Sequence, residues 1–186
     1  MRIFVADSGG MDSDAAVSAA LARAQPGDTV IVTAAVNVPA HLSLDVPAGV
    51  VWKQVCRAER VLHWARRFAD WHAPDGVHLR YTRIQGRSYA HVALAGATNL
   101  GADLILIAKP PGIRGTLSTW FGTIRGVLDG APCAVRVVAP DATPVMEAPP
   151  ARRRGMDPLE NLAVIAVNPV LVERPAANKP EGQPAT

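Results

Sequence analysis

Gly101 to Val138 reads GADLILIAKPPGIRGTLSTWFGTIRGVLDGAPCAVRVV, and this stretch decides the fold. Leu104 to Ala108 is a short, wholly apolar run that ends in a glycine- and proline-rich loop. A helical pattern follows, then a Gly-Ala-Pro break, then a second apolar run, Ala134 to Val138. Strand, loop, helix, strand is one half of a parallel α/β sheet. In such sheets ligands bind just beyond the carboxyl ends of the strands. Here that place is Lys109 to Gly115.

Upstream, the same alternation repeats. Ile3 to Ala6 is a short apolar strand stopped by the turn formers Asp7-Ser8-Gly9-Gly10. Asp12 or Ser13 can cap a helix over Ala15 to Ala24, which Gln25-Pro26-Gly27-Asp28 ends. Thr29 to Val36 is rich in β-branched residues and apolar on both faces, as a central parallel strand requires. Asn37 to Gly49 is a loop. Val51 to Trp71 turns helical, with Val51, Val55, Leu62, Ala65 and Ala69 on one face. Val77 to Arg83 alternates apolar and polar residues and is placed at or near a sheet edge. After the turn Gln85 to Ser88, with Ser88 as N-cap, a helix runs from Tyr89 to Leu100 and closes on Gly101. Arg136 inside the last strand marks another edge. The order predicts a three-layer α/β/α domain around an open five-stranded parallel sheet, Rossmann-like in class.

That domain spans residues 1–139. Residues 140–161 hold four prolines up to Arg154 and the triplet Arg152 to Arg154, and read as a linker. Residues 162–172 offer one more strand, on this chain or a partner subunit, and the polar, proline-rich residues 173–186 read as a disordered tail.

Composition narrows the function classes. The chain has 186 residues, is 49% hydrophobic, and carries a formal net charge of +3. The basic excess is small and lacks the stripe with interleaved aromatics of a nucleic-acid binder, so no nucleic-acid partner is assigned. Cys56 and Cys133 form no short-spaced pair and read as free thiols. The five histidines are scattered, which argues against a metal site. Trp52, Trp64, Trp71 and Trp120 read as packing residues, Trp64 and Trp71 on a shared helical face. The N-terminus lacks a signal-peptide pattern and no apolar run approaches the ~20 residues of a bilayer span, so the chain is read as cytoplasmic with no membrane partner.

The ordered set of motifs resembles the universal stress protein family over residues 2 to 139. IFVADS matches a first strand ending in Asp. VIVTAAVNVP matches a second strand running into an Asn-Val-Pro loop. TRIQGRSYAHVALAGATNLGADLILIAK and GAPCAVRVV match the later turn, helix and strands. The resemblance implies a five-stranded parallel sheet between helices, a homodimer, and an adenine nucleotide in the members that bind one. Asp7 corresponds to the acid that accepts a hydrogen bond from the adenine amine, with Ser8 beside it, and Val36 to a residue offering backbone groups to the base.

Nucleotide-binding members carry a Gly-x2-Gly-x9-Gly-Ser/Thr loop after the fourth strand. Glycines let backbone N–H groups approach phosphate oxygens, and the next helix adds a favourable dipole. Two placements stay open. One aligns Gly112 and Gly122-Thr123 with the last two glycines and the hydroxyl, with Lys109 at the first glycine. The other, ungapped, puts Ala108, Pro111, Phe121 and Gly122 at the four positions. In both the motif is eroded, and Pro110 and Pro111 have no N–H to donate. Lys109, Arg114 and Arg125 supply charge, and Gly112 and Gly115 supply freedom.

A second motif competes. Ser8 to Ser13, SGGMDS, resembles the pyrophosphate loop of the ATP pyrophosphatase group, which also lies between a first strand and a helix. No second constellation of catalytic residues accompanies it. The reading is therefore a universal-stress-protein-like regulatory or binding module that binds ATP at the carboxyl ends of strands 1 and 4, with magnesium only as the companion of ATP and with no turnover of its own. Two alternatives stay open: a pyrophosphate-loop enzyme that adenylylates a substrate, and a dimerisation module that binds no nucleotide.

Overall fold

The computed structural model describes residues 1–7, 13–109, 117–151 and 167–168. Five parallel strands form the frame: β1 (Arg2–Asp7), β2 (Thr29–Asn37), β3 (His78–Gly86), β4 (Leu104–Ala108) and β5 (Ala134–Val138). Helices α1 (Ser13–Arg23), α2 (Trp52–His72), α3 (Tyr89–Asn99) and α4 (Leu117–Gly130) alternate with them. Two short antiparallel strands, β6 (Pro144–Ala148) and β7 (Val167–Asn168), extend the sheet to the order β6-β5-β4-β1-β2-β3-β7. The predicted α/β class and parallel core are what the chain adopts.

β1 is the middle strand of the seven, and Ile3, Phe4, Val5 and Ala6 are all buried. Ile3 and Val5 join Val30, Val32, Leu104 and Leu106 under α1 and α2. Phe4 and Ala6 join Ile31, Ile84, Ile105 and Ile107 under α3 and α4. Side chains alternate between faces along a strand, so a strand buried twice must be apolar throughout. The start of β1 is tied by mutual bonds with Asp103: the Arg2 amide donates to its carboxylate (2.7 Å), and its amide donates to the Arg2 carbonyl (2.9 Å).

The caps of α3 form as the sequence predicts. The Ser88 hydroxyl accepts from the His91 amide at 3.2 Å. At the other end Gly101 takes φ +60°, Ala102 N–H reaches the Ala97 carbonyl (2.9 Å) and Gly101 N–H the Thr98 carbonyl (3.3 Å). That pair of bonds satisfies carbonyls the helix leaves open, and only glycine takes that φ cheaply.

Three sequence readings change, and a fourth, the strand within 162–172, is placed on this chain. β3 runs on to Gly86 through residues read as a turn, because Ile84, Gln85 and Gly86 find partners in Ala35, Val36 and Asn37. Part of the span read as linker is β6, which pairs with the β5 edge; Arg136 lies opposite Glu147 and binds it at 2.7 Å. An edge arginine with a carboxylate across the ladder is a strand signal that the surrounding prolines mask. In the span 162–172, Val167 and Asn168 pair with Ile84 and Arg83 of the same chain. Trp52, Trp64 and Trp71 are 63%, 64% and 83% exposed, not packing residues, because α2 turns its alanines and aliphatics to the core instead. The Trp120 side chain, residues 8–12, the arginine triplet and residues 173–186 lie outside the described set.

The sheet and α3 meet most closely at Gly96. A Cβ there would sit 2.5 Å from Phe4 Cζ and 2.7 Å from Ile84 Cδ1. Both neighbours are fully buried and cannot swing away. Gly96→Ala gains under ~1 kcal/mol of helix propensity but overpacks the core at a cost of about 1–3 kcal/mol. It should lower the urea midpoint of unfolding; a midpoint at or above that of the parent chain would show that α3 can lift from the sheet without loss.

Candidate functional site

Strand order reverses between β1 and β4. β1 pairs with β2 on one side and β4 on the other, and the chain leaves β1 and β4 for helices on opposite faces. In open parallel sheets such a reversal point is where a crevice forms at the carboxyl ends. Asp7 is the last residue of β1, in register with Ala34. Ala6 is in register with Ile107, so the chain brings the end of β1 beside Ala108 and Lys109 at the end of β4. Of the sequence-predicted site residues, Asp7, Ala108 and Lys109 therefore converge. Ser8, Gly112, Gly115, Pro111 and Arg114 lie outside the described residues.

Peptide directions sort the rest. Lys109 N–H donates to the Val138 carbonyl at 2.7 Å, so its amide belongs to the β4–β5 ladder, and its side chain is half-buried. Along a strand, successive peptide groups point to opposite neighbours. Val38 N–H donates to the Gly86 carbonyl at 3.0 Å, so Val36, two residues earlier, also directs its backbone at β3. Its side chain is fully buried under α2. The residue whose peptide points towards the β1 side beyond the last β1 pair is Asn37, which is exposed. The strand alternation of TVIVTAAVN, counted from the correct pairing partner, is the signal that identifies it.

Gly122 and Thr123 lie inside α4, past its first turn. Only first-turn N–H groups lack intrahelical acceptors. Both sequence placements of the glycine motif thus set its closing positions on amides already bonded within the helix, and the amides open to a ligand begin at Leu117. Arg125 points away: it is exposed and pairs with Asp129 at 3.5 Å along the helix.

The rim beside the crevice is braced. Tyr89, at the start of α3, donates its hydroxyl to the Ala6 carbonyl. The Arg87 guanidinium donates to the Val38 carbonyl (3.4 Å) and to that of Pro39, clasping the loop after β2 to the β3–α3 turn. The Arg87 amide donates to His91 Nδ1 at 3.5 Å, which places the ring proton of neutral His91 on Nε2. Nε2 is buried without a partner. Burial, and secondarily the Arg87 charge, lowers the His91 pKa.

A small concavity of about 140 Å³ adjoins this rim on the α2 side, at the ends of β2 and β3. Val36, Val55 and Pro47 give it apolar walls, and Asp45, Arg83 and Gln85 give it polar ones. Gln85 Oε1 is buried there without a hydrogen-bond partner. The Arg83 guanidinium is held by Glu59 outside it. The Asp45 carboxyl is held below its ordinary pKa by the Ser43 hydroxyl. The volume is under the ~300 Å³ floor of whole-ligand sites and enough for a few waters or part of a base. Among the described residues no cluster of His, Cys, Asp and Glu could hold a metal ion, and no helix is long and apolar enough to cross a membrane.

No protein-family model matches the chain, and no curated protein matches its sequence. Solved structures do match. The universal stress protein UspA from Lactobacillus plantarum superposes with a TM-score of 0.56 at 20% identity, over 74% of this chain and 96% of that one. A universal stress protein in complex with cAMP gives 0.52 at 20% identity, over 74% and 96%. A universal stress protein family protein from Arabidopsis thaliana with AMP bound gives 0.51 at 10% identity, over 75% and 91%. The likeness is one of fold, and the chain has the universal stress protein fold.

The half-buried His91 ring, with Nε2 buried and without a partner, makes stability pH-dependent. Its folded pKa lies below the free value of 6.5, so the unfolded chain binds more protons as pH falls. The contribution is complete above that value and is lost as pH drops through the folded pKa. Between pH 7.5 and 5.5 the parent chain should lose more of its urea midpoint than His91→Gln; equal losses would show that His91 keeps its solution pKa.

Proposed function

We propose that the protein is a universal-stress-protein-like binding module that takes an adenine nucleotide, ATP with its magnesium, in the crevice between the carboxyl ends of β1 and β4, and that it signals by occupancy rather than by turnover. The observation that carries this reading is the reversal of strand order at β1 and β4, which brings Asp7 beside Ala108 and Lys109. The solved structures with cAMP and AMP show that proteins of this fold accept adenine nucleotides, which supports the same ligand class here.

In this reading Asp7 accepts a hydrogen bond from the exocyclic amine of adenine, as the sequence resemblance implies. The Asn37 peptide takes the place beside the base that Val36 leaves by turning to β3. Lys109 gives a phosphate its ammonium group, and the first turn of α4 from Leu117 gives it free amides and the positive end of the helix dipole. Gly112 and Gly115 lie on the connection between Lys109 and α4, and Ser8 follows Asp7 directly. Magnesium enters only as the counter-ion of the phosphates. A homodimer, in the cytoplasm and in a stress response, is the setting that the resemblance implies.

Isothermal titration of the full chain with ATP and magnesium, and with AMP and cAMP, tests the reading. Binding at or below millimolar ATP is expected, with no release of phosphate or pyrophosphate over the titration. Asp7→Ala should weaken binding about tenfold, the worth of one hydrogen bond to a charged acceptor. Gly122→Ala should leave affinity within about twofold, since that amide bonds within α4. No heat with any of the three nucleotides would overturn the nucleotide assignment and leave a dimerisation module; pyrophosphate release lost in Asp12→Ala would establish the enzyme reading of SGGMDS instead.

A further inference from the structure

Among the described residues, helix α2 carries a ridge that covers no core and lines no crevice. Its buried face is Val55, Ala58, Leu62, Ala65 and Ala69. At 100° per residue, Lys53, Arg57, Arg60, Trp64, Arg67 and Trp71 all fall within about 80° of arc, centred opposite that face. All six are exposed. The arc holds four cations, two indole rings and no acid. The two acids of the helix, Glu59 and Asp70, lie on a flank, and Glu59 pairs with Arg83. Trp52 lies on that flank too, at the first turn. The Arg67 guanidinium rests 5.6 Å from the Trp64 ring centroid, so cation and ring form one surface.

We infer that this ridge docks the protein on the surface of an anionic lipid bilayer. The argument is chemical complementarity. Indoles gain most at the boundary of headgroup and acyl chain, where the ring is buried and its N–H stays wet. Cations on the same side meet the phosphates of anionic lipids. The 21-residue helix is about 31 Å long, and the six ridge residues run over nearly all of it. Other occupants fit worse. Single strands of nucleic acid need a groove and rings at successive bases; here the two rings are about 10 Å apart along a convex ridge. A second copy would bring four cations against four. The sequence excludes a membrane partner only for want of a spanning apolar run, and a helix that lies on the bilayer surface needs none. The inference does not depend on the nucleotide reading.

The test is flotation of the full-length protein with phosphatidylcholine vesicles containing roughly 30% phosphatidylglycerol, with intrinsic tryptophan emission as a second readout. Binding is expected to the anionic vesicles and not to pure phosphatidylcholine. It should weaken with salt and come with a blue shift of the emission. Arg60→Gln/Arg67→Gln should weaken it about thirtyfold, from roughly fivefold per cation at a charged surface. Trp64→Ala/Trp71→Ala should abolish the blue shift. Circular dichroism of both variants should match the parent, because every substituted side chain is exposed. Neutralising Arg152 to Arg154 to glutamine should leave binding intact. Failure to bind, undiminished binding by the ridge variants, loss through the Arg152 to Arg154 variant alone, or preference for a single-stranded oligonucleotide over the vesicles would each overturn the inference.

Discussion

The structure depends on the complete burial of β1. Its four central residues have essentially no contact with water, and each belongs to a core that the next does not share. A peptide in that position must be bonded on both edges, because an unpaired buried amide or carbonyl costs free energy that a marginally stable domain lacks. β2 and β4 supply those bonds from opposite sides. The demand for bonding on both sides brings the two halves of the chain together. It also ends: the last pair of β1 is Asp7 with Ala34, while β2 runs on to Asn37. The crevice is therefore the same fact as the core, seen at the end of the strand.

This arrangement assigns work to the backbone as much as to side chains. Peptide groups at the carboxyl ends divide into those spent on the sheet, at Lys109 and Val36, and those with no partner in the sheet or helix among the described residues, at Asn37 and the first turn of α4. Arg87 and Tyr89 take no part in the ladder, yet they hold carbonyls at Val38, Pro39 and Ala6, so the rim is fixed by side chains from one turn and one helix start. Binding to a rim already held costs less ordering than binding to a loose one.

Much of this was legible in the sequence. β4 and β5 fall on the residues their apolar runs indicate, and Ser88 and Gly101 cap α3 through the chemistry their types suggest. These features are local, and local patterns survive folding. What could not be read depended on pairing. Gln85 and Gly86 look like a turn until Val36 and Asn37 lie beside them, and Val145 and Met146 look like linker until β5 offers an open edge. The direction of the Val36 peptide is a matter of register, which a strand's composition does not encode. The tryptophans of α2 misled for another reason: size suggests burial, but the inner face of the helix is taken by Val55, Ala58, Leu62, Ala65 and Ala69, and the three indoles lie off it.

The strand that covers β5 bears on how the molecule behaves in a crowded solution. A bare parallel edge is a template on which a foreign chain can crystallise into fibrils. β6 seals that edge and then declines to pass the invitation on. It is five residues long, opens on Pro144, which has no amide hydrogen to lend, spends Glu147 on Arg136, and stops at Pro149 and Pro150. A stranger arriving there finds a ribbon too short and too poor in donors to zip against. The prolines that disguise this segment as a tether are what let it serve as a hem.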